Sequence, residues 1–251
     1  MGRVDLAIYV GSLDYFWEWE WLTGKLWPSG PIEIPAPEGI EGVKVTYFPI
    51  KDDRQLRRKK IGDWRERMRT ELSEWLKAPL DWDEADRRHA VATPNGKCWT
   101  SLMLWAAHAE FNEKPPAVAG SDEANNQTFA RLGQLPDEPR FRQIVQCIDY
   151  WLPAPFETVL NSDGPVGDSA SIGSSPVLLA QLETLNAETW KADGATIQRW
   201  SEAGEPTDGM LESEARYGFA ELFLAAQYSC DNHMPMKYYF DENSLSPDAD
   251  A

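Results

Sequence analysis

The chain has 251 residues and a formal net charge of −17, from 41 acidic against 24 basic side chains, and 12 of its residues are tryptophan. That length suits one elaborated domain whose core needs no covalent staple; three widely spaced cysteines, Cys98, Cys147 and Cys230, fit a reduced, cytoplasmic protein better than a disulfide framework. No apolar run approaches the ~20 residues that span a bilayer, so no membrane partner is expected, and a surface this acidic repels nucleic acid while drawing cations in.

Val4, Leu6, Ile8 and Val10 alternate with Asp5, Ala7 and Tyr9, the period-2 signature of a strand. Asp5 interrupts this short apolar run and no small-residue cleavage site follows, which argues against a secretion signal. Trp17, Trp19 and Trp21 alternate with Glu18 and Glu20, setting indoles on one face and carboxylates on the other. Glycines and prolines between Gly24 and Gly39 break the next stretch into turns. Val43 to Phe48 then predicts a strand that pairs with the first.

From Asp53 the period becomes helical. Ile61, Trp64, Met68, Leu72, Trp75 and Leu76 form a stripe that Pro79 ends. Between Lys51 and Arg69 stand nine basic residues against four acids, a run expected to pair with the chain's own carboxylates. Asp81 to Ala85 predicts another helix start, with acids where the positive end of the dipole favours them. Asn95-Gly96 turns into Lys97–Phe111, which is uncharged from Cys98 to Ala109. Cys98, Leu102, Trp105, Ala106 and Ala109 share one face of it, and Met103, Ala107 and the edge of Trp99 make the other nearly as apolar. A helix apolar all round is one surrounded by protein, so this is the expected central core helix.

Phe141, Ile144, Val145, Ile148, Trp151 and Leu152 predict a further amphipathic helix between Pro139 and Pro153. Residues 161–172 read as a polar loop and the best linker candidate. Ser174-Ser175-Pro176 supplies an N-cap and an early helical proline for a helix carrying Leu178, Leu179, Leu182 and Leu185. A shorter helix holds Ile197 and Trp200, and a long one runs from Leu211 to Ser229 ahead of Pro235. The expected fold is α+β and predominantly helical, with a short N-terminal β-rich segment packed on about seven helices. Residues 1–251 form a single domain: a β-rich part over 1–50, a helical part over 54–236 and a frayed tail over 241–251.

Catalytic signatures are sparse. Gly167-Asp168-Ser169 is similar to the Gly-Asp-Ser block of one esterase superfamily, but no strand is expected before it. Asp231-Asn232-His233 has the wrong spacing for that superfamily's late Asp-x-x-His. His89, His108 and His233 and the three cysteines show no metal-ligand spacing, and no glycine-rich phosphate loop is present. No metal, no cofactor and no small-molecule substrate are therefore expected. Paired carboxylates such as Glu212 with Glu214 carry little information in so acidic a chain.

What stands out instead are clusters mixing acids with rings: Trp17 to Trp21, Asp81 to Glu84, and Tyr238 to Glu242. Flat rings supply contact area and carboxylates meet a partner's Arg or Lys. The candidate partner-binding residues are Trp19, Glu20, Asp81, Trp82, Asp83, Glu84, Tyr238, Tyr239, Asp241 and Glu242. In its strong acidity, aromatic richness and lack of catalytic motifs the chain resembles the bacterial immunity proteins that neutralise polymorphic or type VI-secreted toxins. The resemblance lies in the character of the whole chain and transfers no residue roles. It implies a non-enzymatic inhibitor, an antitoxin that binds a cationic toxin or effector protein, a nuclease foremost, by covering its active surface. The rival readings are a hydrolase with an unrecognised site in a Trp-lined cleft, and an adaptor or chaperone of a secreted effector.

Overall fold

The computed structural model describes residues 5–17, 32–34, 45–47, 54–76, 79–120, 122–165, 167 and 169–241. Strands β1 (Asp5–Gly11), β4 (His89–Ala92), β5 (Tyr150–Leu152), β6 (Leu160–Asp163), β7 (Ser169–Ser174) and β8 (Met236–Asp241) form one mixed sheet in the order β4–β1–β8–β5–β7–β6. Strands β2 (Ile32–Ile34) and β3 (Val45–Tyr47) pair separately with each other. The helices are α1 (residues 13–17), α2 (Arg54–Glu71), α3 (Gly96–Glu110), α4 (Asp122–Leu132), α5 (Arg142–Val145), α6 (Ser175–Glu188), α7 (Gly194–Glu202) and α8 (Leu211–Asn232). Among the described residues no helix is long and apolar enough to cross a membrane.

This sheet corrects the expectation of a short N-terminal β-rich segment on about seven helices. Four of its six strands lie within residues 54–236, the stretch read as helical, and β8 begins at its end. The stripe from Phe141 to Leu152 divides: α5 stops at Val145 and Tyr150-Trp151-Leu152 becomes β5, buried on both faces. A run that short fits a helical and an extended period equally well. The 161–172 loop is instead the β6–β7 hairpin, whose exposed positions are polar because β6 lies at the sheet edge. Residues 45–47 pair with 32–34, and β1 takes β4 and β8 as its antiparallel neighbours.

Both faces of the sheet are covered, which is why β1 is buried from Leu6 to Val10 despite its alternation. On one face Trp151 meets Trp99 of α3, ring centroids 6.3 Å apart. On the other Tyr150 meets Trp64 of α2 at 5.5 Å, and Tyr9 packs with Phe16 and Tyr239. Two helices start where the sequence places them, after Asn95 and after Ser174. Asn95 Oδ1 accepts the Cys98 N–H at 2.8 Å, and Ser174 Oγ accepts the Val177 N–H at 3.2 Å ahead of Pro176. Helices α3 and α8 cross closely at Gly218, where a Cβ would stand 2.5 Å from the Cys98 carbonyl oxygen.

Candidate partner-binding site

The cations of α2 are largely committed within the molecule. Asp14, with its side chain 2 % exposed, takes Arg57 Nε at 2.9 Å and Arg58 Nε at 2.7 Å. Burial alone pushes its carboxyl pKa upward, but the hydrogen bonds and charges of Arg58 and Arg57 outweigh that and hold it below the ordinary value. Lys59 pairs with Asp63 and Arg69 with Glu66 along the helix. Arg65 donates to the Trp82 carbonyl at 2.7 Å, and Arg67 to the Asp163 carbonyl at 2.7 Å. The expected pairing with the chain's own acids is thus what the helix makes.

The acid–aromatic clusters fare differently. Trp19, Glu20 and Glu242 lie outside the described residues. Asp81 and Asp83 are exposed in an irregular stretch ahead of a turn at 84–85, not in the expected helix start, and Asp83 accepts the Ala85 N–H at 2.8 Å. Trp82 is 5 % exposed and packs edge-on to Trp64 at 6.3 Å. Its indole N–H donates to Glu84 Oε1, whose other oxygen accepts the Asp14 N–H at 2.9 Å. Burial raises the Glu84 carboxyl above its ordinary range. Tyr239 is buried against Phe16 at 5.4 Å. Tyr238 is half-buried beside Trp99, and burial pushes its phenol up to about 12. Asp241 closes β8 opposite Asp5. These described rings face two different sides of the sheet, Tyr238 towards Trp99 and Tyr239 towards Phe16, and form no common surface, because both faces are covered.

An acid–aromatic surface does exist, elsewhere. Where the end of α3, the end of α6 and the start of α8 converge, a cavity of about 710 Å3 is lined by Trp105, Ala109, Pro115, Pro116, Ala117, Thr189, Trp190 and Met210, with Glu113, Lys114 and Glu212. The Leu211 N–H donates to the Ala117 carbonyl at 3.0 Å, which ties the segment after α3 to the head of α8. Trp105 and Trp190 stack with centroids 5.3 Å apart, and Trp190 is braced edge-on by Trp200 and Phe219. Met210 is 40 % exposed and Val118, next to Ala117, 55 %. Both carboxylates on the wall hold an arginine that also caps a ring. Arg131 reaches Glu113 through two hydrogen bonds, at 2.7 and 3.0 Å, and lies 4.1 Å over Phe111. Arg216 pairs with Glu212 and lies 5.3 Å over Trp200. Hydrogen bonding to Arg131 lowers the Glu113 carboxyl. Asp208, beside Met210, is lowered by accepting the Met210 N–H and the Ser213 hydroxyl.

Among the described residues no group of three His, Cys, Asp or Glu side chains is placed to hold a metal ion. Ser174, Ser175 and Ser229 are fully buried and hydrogen-bonded inside the fold. Ser101 donates to buried Glu214 at 2.8 Å, and Lys97 pairs with the same carboxylate. Ser169 opens β7 opposite Asp163 of β6, so, contrary to expectation, a strand does stand ahead of the Gly-Asp-Ser block.

Sequence reasoning passed over the cavity, although one signal pointed to it. The core helix α3 carries more apolar surface than its neighbours cover: Cys98, Leu102 and Ala106 are buried, while Trp105 and Ala109 are only partly so. That remainder is the cavity wall. Compared with protein-family models, curated proteins and solved structures, the chain matches none.

Proposed function

We propose that the chain is a non-enzymatic binding protein for a cationic protein, serving as the inhibitor of a basic bacterial toxin in the manner of the immunity proteins it resembles. One observation carries this reading: the separation of the molecule's charges. The basic helix α2 spends its cations on Asp14, Asp63 and Glu66. The outer layer of α6, α7 and the loop before α8 keeps Glu183, Asp193, Glu202, Glu205 and Asp208 exposed, against Lys191 and Arg199, while Glu188 of the same layer pairs with Arg140. A field of one sign over such a layer steers a cationic partner and raises its association rate. A nuclease toxin is basic because its substrate is anionic, so an acidic inhibitor competes for that same surface.

The test is co-expression with the product of the adjacent gene, followed by gel filtration and an activity assay. A stoichiometric complex in which the partner's activity is suppressed, and whose association slows as salt rises, is the expected result. A complex whose partner stays fully active makes the chain an adaptor instead. No complex, with the partner fully active beside the chain, overturns the proposal.

A further inference from the structure

We infer that the Trp105/Trp190 cavity is an anchor pocket, which receives an apolar side chain from a basic segment of a partner protein. The inference rests on the cationic-partner reading and adds where the partner is gripped and by what chemistry. A volume of about 710 Å3 lies within the ~300–1,000 Å3 typical of ligand pockets and accommodates a large side chain with its flanking backbone. Its lining is dominated by two indoles, Met210, Pro115, Pro116 and two alanines, so the occupant's contact surface is apolar.

The carboxylates on the wall do not call for a cation inside. Glu113 and Glu212 already hold Arg131 and Arg216, and Lys114 stands beside them. These paired charges form a polar rim around an apolar centre, the arrangement of a protein interface rather than of a site for a small ion. Met210 and Val118 extend the apolar surface outward. The partner's cations then fall outside the pocket, where Asp208 and the acidic layer of α6 and α7 lie.

Two helical peptides probe this with the whole chain. One carries lysines with leucines at positions i and i+4; the other keeps the lysines and replaces leucine by serine. Dissociation constants are measured for the wild type, for Ala117→Trp, which fills the cavity from an exposed position, and for Met210→Ser, each shown to be folded by its melting curve. The Lys/Leu peptide should bind the wild type and lose about tenfold or more in both variants. The Lys/Ser peptide should bind weakly and equally to all three. If the Lys/Leu peptide binds all three proteins alike, the anchor pocket is wrong while attraction of a cationic partner stands. Binding by neither peptide removes both ideas.

Discussion

Two regions of this molecule combine indoles with carboxylates and put them to opposite uses. Around Trp82 the ring is part of the core, its N–H is spent on Glu84, and Glu84 in turn holds the backbone of Asp14, whose own carboxylate clamps Arg57 and Arg58. Around Trp105 and Trp190 the rings stop short of full burial, and the carboxylates pair with arginines that are themselves part-exposed. The difference teaches that an acid–aromatic composition is not a binding signature by itself. What matters is whether the apolar face has been closed over. The first region holds the fold together, and the second leaves contact area for something else.

Three substitutions in these regions sharpen that contrast. Trp82→Ala removes a buried ring and the donor to Glu84, and should cost about 3–5 kcal/mol in urea unfolding. A loss under ~1 kcal/mol would make Trp82 a surface residue after all. Asp14→Asn weakens the clamp on two arginines. Because Arg58 is partly exposed, the expected loss is about 2–3 kcal/mol at neutral pH, below the ~3–5 of a fully buried pair. The pH profile carries the sign. Asp14's folded pKa lies below its ordinary 3.8, so its contribution is complete above that value and vanishes as pH falls through the folded one. Glu84's is raised above 4.5, so its contribution is present below 4.5 and is lost as pH rises through the folded value. Asp14→Asn should therefore flatten the acid limb of the stability curve, and Glu84→Gln should flatten the limb just above it; parallel curves would show that neither group is linked to folding. Smallest of all, Met210→Ser, which sets a hydroxyl at the uncapped start of α8, should stabilise the fold, and Asp83→Lys, which removes the acceptor of the Ala85 N–H, should destabilise it, each by about 1 kcal/mol or less.

Much of the helical layer was legible. The turn at Asn95-Gly96, the cap at Ser174, the apolar run of α3 and the long stripe of α8 all predict helices where helices are found. Most of the sheet was not. Strands of three to six residues such as β5 and β7 carry too few positions to show a period, and β5, covered on both faces, shows no alternation. The Tyr238–Phe240 stretch looks like a display of rings in the sequence because its two neighbours, β1 and β5, are remote along the chain. The cavity escaped for a related reason: it is assembled from residues near positions 105, 115, 190 and 210, which no local pattern links.

The pairing of β1 with β8 has a consequence for how the molecule is made. Leu6 finds its cross-strand neighbour in Phe240, more than two hundred positions downstream. On a ribosome the first strand thus emerges long before the strand it needs, with Leu6, Ile8 and Val10 awaiting cover. Contacts so distant along the chain close slowly, since the loop entropy must be lost before the pairing rewards it. Docking of β8 late in assembly would complete the sheet and the core together, and until then the nascent chain presents an apolar strand suited to capture by a chaperone.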